Sequence, residues 1–178
     1  MAQGKTYFEE IYSIFLSKIT DDMYMELTKE QTYSLLQELL LSAIPWFEFP
    51  RTSLDFELMT DVQGAEQSYF IYELNKEEKN ILAIYMVVEW LSQQLASVEL
   101  VRMKYSGSDF KFTSQANHMV KLQNLKTDYE DKGFKLQRLY KRRAVDENGI
   151  YRSTFGNIMN APTHPDWSRY SFYGGDLD

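Results

Sequence analysis

Apolar residues recur at intervals of three and four over four stretches of this chain and at every second residue over one. That pattern predicts four helices and one β-hairpin. Tyr7, Phe8, Ile11, Tyr12, Ile14 and Phe15 put one apolar face on a helix running to about Lys18. Thr28 opens a second helix, because its hydroxyl can cap a free backbone N–H while Gln31, three residues on, reaches back to the cap. Leu35, Leu36, Leu39, Leu40 and Ala43 form its stripe, and Pro45 stops it. The two helices are expected to form an antiparallel pair. Leu54, Phe56 and Leu58 then alternate with Asp55, Glu57 and Met59, and Tyr69-Phe70-Ile71-Tyr72 follows after Gln63-Gly64-Ala65. The period of two predicts a hairpin over 54–73 with its loop near 60–67. A two-stranded hairpin is marginal alone, so it either covers the helices or projects toward a partner.

Asn75 is placed to cap a third helix, with Glu77 and Glu78 in the first turn, where the helix dipole favours acids. Ile81, Leu82, Ile84, Tyr85, Val88, Leu91, Leu95 and Val98 run down a broad face widened by Trp90. The helix is roughly 26 residues and ~40 Å long. Ser106-Gly107-Ser108-Asp109 breaks it, and Thr113 or Ser114 starts a fourth helix running to about Arg143. Met119, Val120, Leu122, Leu125 and Tyr129 are expected on one side of that helix, with a bend at Gly133. Beyond residue 143 the helical period is lost, and Gly, Pro, Asn and Asp dominate. Yet Tyr151, Phe155, Trp167, Tyr170, Phe172 and Tyr173 make this segment rich in rings, unlike a segment that stays disordered. The expected fold is therefore mainly α: an antiparallel four-helix bundle with one β-hairpin insertion, spanning 1–143, and an extended aromatic-rich C-terminal arm, 144–178. The arm would lie across its own domain, a neighbouring copy or another protein.

Composition narrows the function. With 44% hydrophobic residues, a chain of 178 can bury one core, so one domain with an appended tail is expected. No apolar run approaches the ~20 residues of a membrane span, and the first residues lack a signal-peptide pattern, so synthesis in the cytosol is expected. The absence of cysteine excludes disulfides, thiolate metal sites and cysteine nucleophiles. A net charge of −7 argues against a general phosphate-binding surface, but the charge is unevenly spread. Residues 1–100 carry six basic and seventeen acidic side chains, residues 101–143 eleven and four, and residues 144–178 two and five. Such a split either steers like subunits head to tail or reflects the solvated faces of separate helices.

Chemistry is sparse. His118 and His164 are the only imidazoles and lie in different parts of the chain. Asp21-Asp22 and Glu77-Glu78 are adjacent carboxylates, which on a helix diverge by about 100° and so do not converge on one reacting atom. Gly174-Gly175 lacks the Lys-Ser pair and following helix of a phosphate loop. No catalytic residue, metal ligand or cofactor site is expected, and the chain is not read as an enzyme. Lys135, Arg138, Lys141, Arg142 and Arg143, interleaved with Phe134 and Tyr140, form a basic face at the end of the fourth helix. It suits either an acidic protein surface, such as this chain's own first hundred residues, or a nucleic-acid backbone.

Leu39-Leu40-Leu41-Ser42-Ala43-Ile44-Pro45, then Phe47-Glu48-Phe49-Pro50, the hairpin, Leu82 through Leu91, and Tyr105 to Leu125 with Ser108-Asp109-Phe110 follow one another in a distinctive order. Over about residues 5–143 this order resembles the head-to-tail connector proteins of tailed bacteriophages, also called adaptor, neck or head-completion proteins. The resemblance implies a homo-oligomeric ring, usually dodecameric, docked under the portal protein at the virion neck and assembled in the bacterial host cytoplasm. Such a ring continues the DNA channel without sequence-specific contacts and receives the next neck or tail-completion protein. It also implies that the C-terminal arm reaches a partner such as the portal. A different ring-forming collar or tail-completion subunit, and a nucleic-acid-binding module, are the competing readings.

Overall fold

The structure is a computed structural model that describes residues 4–19, 27–59, 67–104, 112–145 and 151–153. Contacts divide the chain into two compact units, Met1–Arg138 and Leu139–Asp178. The chain is mainly helical with a small three-stranded antiparallel sheet.

In the first unit, β1 (Thr6–Tyr7) runs directly into α1 (Phe8–Leu16), whose Phe8, Ile11, Tyr12 and Phe15 are buried at the expected spacing. The next helix, α2 (Lys29–Ala43), begins with the predicted capping box. The Thr28 hydroxyl accepts from the Gln31 backbone N–H at 3.3 Å, and Gln31 Oε1 accepts from the Thr28 N–H at 3.2 Å. Leu36, Leu39, Leu40 and Ala43 are buried, while Leu35 lies half-buried at the edge of the stripe. The helix ends at Ala43, one residue before Ile44-Pro45 as expected, and Pro45 itself sits in a short 3-10 turn, Ile44–Trp46. The expected antiparallel pairing of the first two helices is secondary. Each of them packs instead along α3 (Lys76–Lys104).

That central helix explains its own composition. Ile81 through Val88 are all buried, together with Leu91. A helix apolar on every side is stable in water only when neighbours cover it. Lys76–Val98 is also long and apolar enough, by composition, to cross a membrane, but half of that stretch is buried within the protein. Its N-terminus is held by a second reciprocal cap. Asn75 Oδ1 accepts from the backbone N–H groups of Glu77 and Glu78, each at 2.9 Å, and the Glu78 carboxylate accepts from the Asn75 N–H at 2.9 Å. Glu78 is fully buried and also accepts from the Thr52 N–H and hydroxyl, which ties the loop before the hairpin to the start of α3. The spacing identified the cap, but the loop anchor depends on a residue 26 positions away.

The hairpin exists, with β2 (Phe56–Glu57) antiparallel to β3 (Tyr69–Phe70), and residues 60–66 between them lie outside the described residues. A third strand joins it, because β1 pairs with the other edge of β3 in the order β1-β3-β2. Thr6 stands opposite Phe70, and Phe56 opposite Phe70 on the other side, which gathers an apolar row over Phe8. The Phe8 and Phe70 ring centroids are 4.8 Å apart and those of Phe8 and Phe56 6.0 Å apart. Buried Thr6 accepts from the Leu74 N–H at 2.8 Å, locking the sheet to the approach of α3. The hairpin therefore covers the helical core, and two residues were too short a strand to show as a period.

The fourth helix, α4 (Phe112–Arg142), runs through Gly133 without interruption. The predicted break at 106–109 lies outside the described residues. In the second unit the last turn of α4 is followed by β4 (Arg143–Val145), which pairs antiparallel with β5 (Tyr151–Ser153). The segment from 144 is expected to be an extended arm without helical period, and the strand pairing is an addition to that. Asn148-Gly149, the dipeptide favoured in tight hairpin turns, was the signal for the pairing. Residues 154–178, with Phe155, Trp167, Tyr170, Phe172 and Tyr173 of the aromatic arm, lie outside the described residues.

Candidate interaction surfaces

Gly133 and Gln137 explain how α4 meets the rest of the first unit. A Cβ added at Gly133 would stand 2.8 Å from Tyr85 Cζ, so the absence of a side chain here lets the Tyr85 ring lie against the backbone of α4. One turn later the buried Gln137 amide donates to the Trp46 carbonyl at 2.8 Å and to the Tyr85 hydroxyl, and its Oε1 accepts from the Glu48 N–H at 2.9 Å. The Trp46 indole stacks on Tyr85 with centroids 6.0 Å apart and donates to Glu89 at 2.6 Å. Burial pushes the Tyr85 pKa up, against the pull of its bond to Gln137. A buried amide with every group matched fixes one register of α4 on α3. Gly133 is thus a contact point for the Tyr85 ring.

The expected apolar side of α4 splits in two. Met119, Leu122 and Tyr129 lie in line with Gly133 and Gln137 at helical spacing and are half-buried. Val120 and Leu125 leave that line and stay 58% and 42% exposed, and Phe134 is exposed as well. The five do not share one side, because Val120 sits one residue after Met119, about 100° around the helix. Lys135 and Arg138 are exposed in the first unit, with the Arg138 guanidinium 5.6 Å from the Phe134 ring. In the second unit Lys141 and Arg142 are exposed, while Arg143 is half-buried as the first residue of β4. Tyr151, of the aromatic set, stands opposite Val145 in the β4–β5 pair.

The sheet presents further exposed apolar side chains, Phe56, Leu58 and Met59, at the start of the hairpin. On its other row Tyr69 donates to Glu57, meets Tyr7 edge-on at 6.1 Å, and carries Lys5 Nζ 3.8 Å above its ring.

A cleft of about 430 Å³ opens between α1 and α2, which sequence pattern did not indicate. Buried Tyr12 and Leu36 line its base together with Leu16, Leu27 and Tyr33, and exposed Glu9 stands at its rim. Tyr33 donates to Glu9 at 2.9 Å, whereas the buried Tyr12 hydroxyl has no hydrogen-bond partner among the described residues. Burial, with Tyr33 beside it, drives the Tyr12 pKa well up, so the group stays a neutral donor. An unsatisfied buried hydroxyl costs about 1–3 kcal/mol.

Among the described residues, no three His, Cys, Asp or Glu side chains gather into a group that could hold a metal ion, and His118 lies exposed on α4. His164 lies outside the described residues. The chain matches no family model, no curated protein and no solved structure.

Proposed function

We propose that this chain is a structural subunit that acts by binding neighbouring protein subunits, as a connector in the neck of a tailed bacteriophage. In this reading copies form a ring, dodecameric by the resemblance, between the portal protein and the next neck or tail-completion protein, and genomic DNA passes through its channel. The observation that carries the reading is the exposure of large apolar side chains in two places, Val120, Leu125 and Phe134 on α4 and Phe56, Leu58 and Met59 at the hairpin. Large apolar side chains scattered singly are ordinary on a surface, but a 31-residue helix held at Gly133 and Gln137 needs more cover than its own unit supplies. The neighbour's helices would complete around α4 the four-helix arrangement that the apolar periods predict. The aromatic arm, 144–178, would reach the portal or the adjoining copy.

The test is to image the purified chain with capsids that carry portal but no tail. A ring on the portal vertex is expected. A chain that stays monomeric and off the capsid overturns the proposal, and a ring that binds elsewhere favours a collar or tail-completion subunit. Removal of 150–178 is expected to leave a folded protein that attaches poorly.

A nucleic-acid module is the second reading, favoured by exposed Lys135 and Arg138 beside the Phe134 ring. It predicts a DNA affinity whose salt slope falls when those two charges are neutralised. An unchanged slope removes it.

A further inference from the structure

The two edges of the small sheet differ. β1 is preceded by exposed Lys5 and runs straight into α1, whereas β2 has no strand on its far side among the described residues. The Asp55 carbonyl accepts from the Ile71 N–H at 2.9 Å, and the Met59 N–H donates to Ser68 Oγ at 3.1 Å, so Asp55 and Met59 turn backbone groups toward β3. Backbone groups alternate in direction along a strand, and those of Phe56 and Leu58 therefore face outward. Exposed edges are normally blunted by Lys, Pro or a bulge, yet residues 52–59 contain neither Lys nor Pro. They present exposed Phe56 and Leu58 alternating with exposed Asp55 and Glu57.

The charges select what can pair there. A second β2 laid antiparallel across the first and centred on Phe56 would put Asp55 opposite Glu57 twice, and like charges directly opposite destabilise a pair. The incoming strand must be neutral or basic, rich in β-forming residues and free of Pro. Of the segments outside the described residues, 20–26, 60–66 and 146–150 each hold at least two acids, and 105–111 is interrupted by Gly107 and Asp109. Trp167-Ser168-Arg169-Tyr170-Ser171-Phe172-Tyr173 meets every condition: four aromatic residues and one Arg, with no acid, between Pro165-Asp166 and Gly174-Gly175. Its Tyr170 and Phe172 alternate with Arg169 and Ser171, the counterpart of Phe56 and Leu58 alternating with Asp55 and Glu57. We propose that residues 167–173 of a second copy of this chain add a strand to the free edge of β2, with Tyr170 and Phe172 continuing the row of Phe70 and Phe56 and Arg169 on the face of Asp55 and Glu57. Residues 154–166, which follow β5, span up to about 45 Å when extended, enough to reach an adjoining copy. Edge and arm are different surfaces of one protomer, so the contact is heterologous and can repeat from copy to copy, as a ring requires. The inference rests on the assembly reading above and names the contact by which copies join.

Because the chain has no cysteine, single engineered thiols report the contact cleanly. Full-length Met59→Cys, exposed at the end of the edge, is mixed with full-length Ser171→Cys and a short bis-maleimide linker. A cross-linked dimer is expected from the mixture and from neither variant alone. In parallel, native mass spectrometry of the cysteine-free chain reads self-association. Phe172→Ala is expected to weaken it about tenfold or more, and Arg169→Glu severalfold. Asp55→Lys added to Arg169→Glu is expected to restore it. Self-association that ignores these variants, or a mixture that yields no cross-linked dimer, overturns this contact and leaves the assembly reading standing. A cross-link that forms only with both cysteines in one chain, and only within a monomer, puts the arm on its own sheet and overturns the contact as well. A wild-type chain that neither self-associates nor binds capsid overturns both.

Discussion

The two long helices, α3 with 29 residues and α4 with 31, share a helical period but not an environment. Ile81 through Val88 of α3 are buried on every side, whereas α4 is anchored in the first unit through Gly133 and Gln137 and leaves Val120, Leu125 and Phe134 exposed. One helix is core and the other is a platform. The contrast teaches that a platform helix needs specific points of attachment, because it lacks the continuous apolar contact that holds a central helix in place. On α4 a glycine and a fully bonded amide do what a band of aliphatic side chains does on α3.

The largest expected break is in the core. Leu82→Ala should cost about 2–5 kcal/mol by leaving a cavity in α3, whereas Leu125→Ala should change stability by about 0.5 kcal/mol or less. Denaturant titration of the two variants measures the contrast directly, and equal losses would erase it. Gly133→Leu should follow, at about 1–3 kcal/mol, because its Cβ meets the ring of Tyr85, which is bonded to Gln137 and stacked on Trp46. Hydrogen exchange should rise along α4 and hardly at all in α3.

Gln137→Leu should cost about 1–3 kcal/mol, since the Glu48 N–H loses its acceptor and the Trp46 carbonyl its donor. Hydrogen exchange should again localise the loss to α4 and the turn after α2. The smallest effect is in pH. Tyr12 and Tyr85 both have raised pKa values in the fold, so their contribution is fully present below the ordinary tyrosine value of 10.0 and is lost as pH rises through the folded values. Thermal melts should therefore fall above about pH 10, and Tyr12→Phe should flatten the decline.

Much of this was legible in the residues. Thr28 with Gln31 and Asn75 with the acids after it announced two helix starts, because caps act over three residues and leave a local signature. The apolar periods of α1 to α3 identified the core, and the alternation at 54–58 identified the hairpin. The third strand, the cleft and the meeting of Gly133 with Tyr85 left no such mark. Thr6 finds Phe70, Glu78 finds Thr52, and Gln137 finds Trp46 and Glu48 across gaps of 26 to 91 residues. The basic and aromatic candidates were legible as composition, yet residue spacing alone could not say which of them share a surface.

Sequence by itself determined which segments are helical, where two of them begin and which faces are apolar, because propensity, capping and period operate within a few neighbours. Only the tertiary structure decided which apolar face is core and which remains available. Burial depends on what the rest of the chain brings to that face, and residues distant in sequence meet only once the chain has folded.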